Sequence, residues 1–304
     1  MRFLAIGECM AELAPATSPD EFRMGFAGDT FNTAWYLAQM QPSASVSFFT
    51  AVGADAISQK LRAAMVAGGI DDSHLQTVPD RTIGLYMISL NNGERSFAYW
   101  RGQSAARLLT QDPVALGQAM AAADVIYFSG ITLAILDSAG RQTLLDALRQ
   151  ARASGKTIAF DPNLRPRLWS DPAEMTRTVM QGAKVSDIAL PSFEDEASWF
   201  GDADPEATAA RYAEAGATVV VVKNGPDPIF YRQGQTSGHA EVPALALVVD
   251  TTAAGDSFNA GILAGLLHDT PLPDSIARAC QIAGQVVQSK GALVQITYPK
   301  EPRP

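Results

Sequence analysis

Asp250-Thr251-Thr252-Ala253-Ala254-Gly255-Asp256-Ser257-Phe258 is the stretch on which the reading of this chain turns. An apolar run, Leu245–Val249, leads into it and predicts a strand. A helical pattern with Phe258, Ile262 and Leu266 on one face leads out of it. Between them, the small residues Ala253, Ala254 and Gly255 let backbone N–H groups come close to a ligand, and Gly255 allows a sharp bend. Those donors stand at the positive end of a helix dipole, an arrangement that holds a phosphate. Ala260, Gly261, Ala264 and Gly265 suit close packing of the helix beneath the site. Asp256 would face the same pocket, where it can accept the proton of an attacking hydroxyl. With an ordinary pKa of about 3.9 it is a poor base toward a free alcohol. In a loose phosphoryl-transfer transition state the proton leaves late, so an ionised acceptor that orients the oxygen suffices. An acid in the first turn of a helix is also favourable for its own sake, so this stretch alone leaves both readings of Asp256 open.

Outward from that stretch, short apolar runs alternate with helical patterns. Phe3–Ile6, Val46–Val52, Val125–Phe128, Thr157–Phe160, Ile188–Leu190 and Thr218–Val222 read as strands. Helical patterns cover Thr30–Met40, with Asp29 or Thr30 as cap, Ala56–Val66, Ser138–Ala153, Pro172–Gly182, Glu206–Ala215, Asp256–His268 and Asp274–Lys290. Alternation of this kind predicts an α/β fold with a mostly parallel central sheet and helices on both faces, ligands collecting at the strand carboxyl ends. Two segments break the rhythm. Thr82–Leu90, the turn Asn91-Asn92-Gly93 and Glu94–Arg101 read as a β-hairpin, and Cys9–Phe26, with Pro15 and Pro19, reads as irregular or extended. Both are too short to be domains, so the expectation is one domain over residues 1–304 with a small β lid near residues 9–26 and 82–101. Ile229–Arg232 and His239–Val242 look like antiparallel strands.

Composition narrows the function. The 304 residues carry 23 Lys and Arg against 32 Asp and Glu, a net charge of −9, which argues against broad nucleic-acid binding. Two cysteines, Cys9 and Cys280, give neither a disulfide framework nor a zinc spacing and point to a reduced, cytoplasmic setting. The start, MRFLAIGECMAEL, lacks a signal-peptide pattern, and no run is long enough to span a bilayer, so no membrane partner is expected. There is no G-x-x-x-x-G-K-[ST] loop and no strand-linked G-x-G-x-x-G. His74, His239 and His268 lack metal-binding spacing.

The Asp250–Asp256 stretch resembles the second signature of the ribokinase-like (PfkB) carbohydrate kinases, Asp-Thr-x-Gly-Ala-Gly-Asp, with Ala253 where many members have Gly. Gly28-Asp29-Thr30-Phe31-Asn32-Thr33-Ala34 is similar to the family's Gly-rich start of its first long helix, and Gly7-Glu8, the hairpin and Gly291-Ala292 add further matches. The resemblance runs from end to end. It implies a ribokinase-like fold and an ATP-dependent kinase in which Asp256 is the base and Ala253, Ala254 and Gly255 form the anion hole. It puts Asn163, Lys223 and Gly225 with Ala253, Ala254 and Gly255 around ATP. Mg²⁺ would come with the nucleotide. The family's Asn-x-x-Glu motif, which helps place that metal, is replaced here by Ser192-Phe193-Glu194-Asp195, followed by Glu196; Asp195 is the first choice for its role. Asp250 and Thr252 leave a monovalent cation open.

Several segments resemble one subgroup, the kinases of 2-keto-3-deoxygluconate: Gly7–Leu13, Tyr99-Trp100-Arg101, Ser129–Leu136 and Asp161-Pro162-Asn163-Leu164-Arg165-Pro166-Arg167-Leu168-Trp169. A sugar acid carries a carboxylate that suits a bidentate guanidinium, and Arg101 and Arg165 are the candidates. The resemblance puts substrate contacts at Gly28, Asp29, Asn32, Tyr86, Tyr99, Arg101 and Arg165. A solvated lid charge at Arg101, a surface ion pair at Arg165 and subunit packing at Tyr86 and Tyr99 are the competing readings. An exposed lid face with Tyr99 and Trp100 suggests a homo-oligomer formed through the lid. The expected partners are thus a small sugar acid and ATP. A neutral-ketose kinase, a kinase of another keto-deoxy acid, or a non-catalytic sugar-acid sensor are the alternatives.

Overall fold

The computed structural model describes residues 1–16, 18, 20–91 and 94–298. Among them, nine strands form one sheet in the order Thr236–Ala240, Ile229–Gln233, Val219–Val222, Ile188–Ala189, Thr157–Asp161, Val125–Ser129, Arg2–Ile6, Ser45–Phe49, Ile70–Asp71. Ile229–Gln233 pairs antiparallel with both of its neighbours, and every later pairing is parallel. A parallel sheet covered on both faces needs apolar residues on both sides of each strand. The first strand shows how: Phe3 and Ala5 enter one core with Tyr127, Phe48 and the helices Asp29–Met40, Ala254–Leu266 and Leu272–Val287. Leu4 and Ile6 enter the other, with Phe128, Phe160 and Leu144. Both cores exclude solvent almost completely.

The helix Ala254–Leu266 lies close against Leu272–Val287. A Cβ on Gly261 would sit 2.7 Å from the Ala279 Cα, and one on Gly265 would sit 2.1 Å from the Ser275 Oγ, so the approach requires glycine at both positions. This seats the start of the helix at the carboxyl ends of the central strands. The same end carries Gly7–Glu8, Asp161–Arg165 and Lys223.

A second, four-stranded sheet has the order Phe22–Ala27, Met10–Pro15, Leu85–Asn91, Glu94–Trp100. Segment 9–26, read from sequence as irregular or extended, supplies two of its strands, paired antiparallel, and the hairpin supplies the others. The hairpin turn residues Asn92 and Gly93, and Pro19 of the first segment, lie outside the described residues. Glu12 is opposite Tyr86 and Tyr86 opposite Tyr99, so these three share a face. On that face Met10, Ala27, Tyr86 and Ile88 cluster with Ala292 and Ala253, which turns it toward the start of the helix Ala254–Leu266. Trp100, Met24 and Phe22 fall on the opposite face and are exposed. Tyr99 and Trp100 therefore do not share an exposed lid face as expected, because neighbours along a strand alternate.

Three further expectations are corrected. Leu245–Val249 is not a strand: it is extended chain outside the sheets, with Leu247 and Val248 more than half exposed. The sheet on that side ends at Thr236–Ala240, and apolar composition cannot make a strand without a neighbour to bond. Val46–Val52 divides at Thr50, its end leaving the main sheet as Ala51–Val52 to pair with Gln76–Thr77. Neither Asp29 nor Thr30 caps its helix; the cap position is Gly28, and Asp29 lies in the first turn with its carboxylate bonded elsewhere.

Candidate active site

The site begins at Ala253, which precedes the helix in left-handed backbone conformation (φ 59°). For an L-residue this costs about 1 kcal/mol, which explains why a glycine serves as well or better there. The bend frees the first turn of Ala254–Leu266. Ala254 N–H bonds back to the Thr251 carbonyl, while the N–H groups of Gly255 and Asp256 have no carbonyl one turn behind them and point out at the helix start. The Lys223 ammonium stands 3.8 Å from where a Gly255 Cβ would be, adding a cation to the same spot.

Asp256 faces this turn from the first helical turn. Its Oδ2 accepts from Asn32 Nδ2 at 2.8 Å, and its backbone carbonyl accepts from Thr33 Oγ1 at 3.2 Å, so the first long helix and the anion-hole helix meet at one carboxyl. Burial pushes the Asp256 carboxyl up to about 8, with the negative Asp29 and Asp161 pushing the same way and the Asn32 bond and Lys223 opposing. The ordinary acidity assumed from sequence is thus corrected: burial and the two neighbouring carboxylates raise Asp256 well above the usual carboxylate range.

Beneath it lies a polar network that sequence reading missed. Asp161, almost fully buried, accepts from Lys223 Nζ at 3.0 Å and Asn259 Nδ2 at 2.6 Å, and its other oxygen accepts the Asn163 N–H at 3.0 Å. Asn259 Oδ1 accepts from Lys223 at 3.1 Å, and its amide donates to Tyr127 Oη at 3.1 Å. The Asx bond to Asp161 accompanies a left-handed Asn163 (φ 35°), whose side chain donates to Asp29 Oδ2 at 2.8 Å. Asp29, Asn32, Asn163, Lys223, Asp256 and the helix start are thereby assembled into one cleft. Gly225 lies on an exposed turn beyond Lys223, also at positive φ (57°). Gly28 presses on the lid root, with no room for a Cβ beside the Glu8 carbonyl.

Two of the lid residues, Tyr86 and Arg101, are each held by an acid. Tyr86 Oη donates to Glu12, and Arg101 Nη2 to Glu8, whose other oxygen accepts from Ser104. Tyr99 is half exposed, its ring 5.8 Å from that of Tyr86. Arg165 stands apart, half exposed, with Nη1 3.7 Å from Asp195 Oδ2. Burial pushes the Asp195 carboxyl up while Arg165 opposes. Behind it on the same helix, Phe193–Phe200, Glu196 is fully buried and bonded by Arg211 at 2.7 Å and Tyr212 at 3.0 Å, which fixes the helix that presents Asp195. Asp250 accepts from the Thr252 and Gly291 amides.

No group of three or more His, Cys, Asp or Glu suited to a metal occurs among the described residues. The carboxylate oxygens of Asp195, in the first turn of its helix and outside any such group, suit a magnesium ion that would be held chiefly by nucleotide oxygens and water.

Comparison with known proteins identifies the family. The profile of the pfkB family carbohydrate kinases matches residues 2–297. The chain is 39% identical over 312 residues to the 2-dehydro-3-deoxygluconokinase of Escherichia coli (strain K12), covering all of this chain and 99% of that one. It is 34% identical to a fructokinase of Rhizobium leguminosarum bv. trifolii, over 88% of this chain and 81% of that one. Among solved structures, the PfkB protein from Polaromonas sp. JS666 superposes with a TM-score of 0.82 at 28% identity, covering 94% and 95% of the two chains. With a family match over nearly its whole length, the chain is a member of the pfkB family of carbohydrate kinases.

Proposed function

We propose that the protein transfers the γ-phosphoryl group of ATP to the 6-hydroxyl of 2-keto-3-deoxy-D-gluconate, giving 2-keto-3-deoxy-6-phosphogluconate and ADP. The observation that carries the chemistry is the Asp256 carboxyl, held by Asn32 beside the open amides of Gly255 and Asp256. The substrate rests on full-length similarity to a kinase of that name and on an arginine at the lid root. Asp29, Asn32 and Gly28 hold the sugar hydroxyls; Tyr86 and Tyr99 cover it; Arg101 and Arg165 take the carboxylate. Because the Tyr86 phenol donates to Glu12, its oxygen is left to accept from a sugar hydroxyl.

In the reaction the O6–phosphorus bond forms as the bond from the γ-phosphorus to the ADP oxygen breaks. The hydroxyl proton passes to Asp256 and then to solvent. Lys223 and the amides of Gly255 and Asp256 stabilise charge on the transferring group, a role that preorganised donors fill without reorganising; the Ala254 amide, bonded to the Thr251 carbonyl, shapes the turn instead. Asn163 and Gly225 flank the nucleotide. Magnesium, when bound, neutralises phosphate charge; Asp195 is the side chain that would hold it through water. The exposed outer lid face, with Phe22, Met24 and Trp100, is the surface through which copies of the chain would associate.

An ADP-release assay across fructose, ribose, gluconate, 2-keto-3-deoxygluconate and its galacto epimer tests this. The highest kcat/KM is expected for the gluco acid; preference for fructose would establish the neutral-ketose reading instead.

A further inference from the structure

Glu8 follows the first strand of the main sheet, yet its side chain is only 1% exposed and points into the root of the lid. One carboxylate oxygen accepts from Arg101 Nη2 and the other from Ser104 Oγ, both from the chain that leaves the hairpin. Arg101 itself is 12% exposed, and its Nε is buried with no hydrogen-bond partner. Nothing on the guanidinium's inner edge therefore competes with Glu8 for its direction. Space around the pair is tight: a Cβ on Gly84 would lie 2.9 Å from Glu8 Oε1 and 3.2 Å from Arg101 Cβ. The backbone of Glu8 also carries the sugar-side turn, since a Cβ on Gly28 would lie 2.0 Å from its carbonyl oxygen. One residue thus touches the main sheet, the turn at Gly28 and the lid's exit.

We propose that Glu8 is a positioning residue for Arg101 and, through it, a determinant of selectivity for a carboxylate-bearing sugar; the inference rests on the sugar-acid reading above. The ion pair sums to zero, so a substrate carboxylate is not drawn by an isolated charge. What Arg101 offers is a guanidinium held in one orientation, so that any donor neither buried nor turned toward Glu8 meets a ligand from a fixed direction. Loss of Glu8 would give Arg101 back its full charge and take away its direction. These consequences act oppositely on an acid, and that separates them by experiment.

The test measures KM for 2-keto-3-deoxygluconate and for ATP in Glu8→Ala and Glu8→Gln enzymes. The glutamine amide oxygen still accepts from Nη2, without the charge. Glu8→Ala is expected to raise the acid KM about tenfold or more while the ATP KM stays within about twofold; Glu8→Gln should keep the acid KM within about threefold. In an Arg101→Ala background, Glu8→Ala should add less than about twofold, because its partner is gone. An unchanged acid KM in Glu8→Ala, an equal rise for ATP, or a glutamine variant as impaired as the alanine one would overturn the proposal. If Glu8→Ala does not fold by circular dichroism, Ser104→Ala decides: an acid KM about twofold to fivefold higher supports the proposal and no change overturns it. A wild-type enzyme inactive on the acid would sink the substrate reading and this inference together. A wild-type enzyme active on it, with insensitive Glu8 variants, would sink only the inference.

Discussion

The floor of the cleft and its lid hold their polar groups in different ways. On the floor, Thr33, Tyr127, Asn259, Asp161 and Lys223 form one connected chain of hydrogen bonds drawn from two helices, the middle of one strand and the ends of two others, almost all of it buried. In the lid, Arg101 and Tyr86 belong to two separate pairs, each with an acid from the short stretch Glu8–Glu12. A connected buried network makes binding and folding depend on the same contacts. Separate pairs let the sugar side change with less effect on the rest. The contrast suits a family in which one phosphoryl-transfer floor serves many sugars.

Three experiments press on that contrast, beginning with the floor. Asp256→Asn should lower kcat by about a thousandfold or more with sugar binding retained in calorimetry; wild-type turnover would remove Asp256 as base. The same variant bears on pH. A carboxyl whose folded pKa is raised to about 8 from 3.8 binds a proton that the unfolded chain has lost, so its contribution to stability fades as pH climbs through that window. Wild-type kcat/KM should accordingly rise toward pH 8, and empty Asp256→Asn protein should melt higher than wild type at pH 8 but not at pH 4. Lys223→Ala comes next: it leaves Asp161 buried without its cation and should cost about 3 kcal/mol in denaturant unfolding, together with a KM for ATP raised about tenfold. If ATP affinity falls and stability does not, the floor is no more integrated than the lid. Smallest is Tyr86→Phe, which removes the phenol facing Glu12 and should raise the sugar KM about threefold to tenfold while costing about 1 kcal/mol of stability, less than Lys223→Ala. A large loss of stability there would erase the distinction.

Much of the main sheet could be read from sequence because each strand is a short apolar run and each helix has its own period. The helix start at Ala254 was legible for the same reason, its small residues and acid being consecutive. The floor was not. Asp161 and Asn259 are 98 positions apart, and Asn32 and Asp256 are 224 apart, so no local pattern marks them as partners. Glu8 was visible only as half of a Gly-Glu pair; its burial beside Arg101 depends on a lid that folds back 93 positions later. Leu245–Val249 failed in the opposite sense, carrying a strand's composition with no neighbouring edge to join.

The placement of Asp256 bears on water as a rival acceptor. A sugar kinase works in water at concentrations far above any sugar, and an ionised acid beside the γ-phosphate would serve a stray water as readily as an alcohol. Burial and the neighbouring Asp29 and Asp161 raise the Asp256 carboxyl, while Asn32 holds it in place, so its readiness as a base is set by the walls around it. Wasteful hydrolysis of ATP without sugar is accordingly expected to be slow beside sugar phosphorylation.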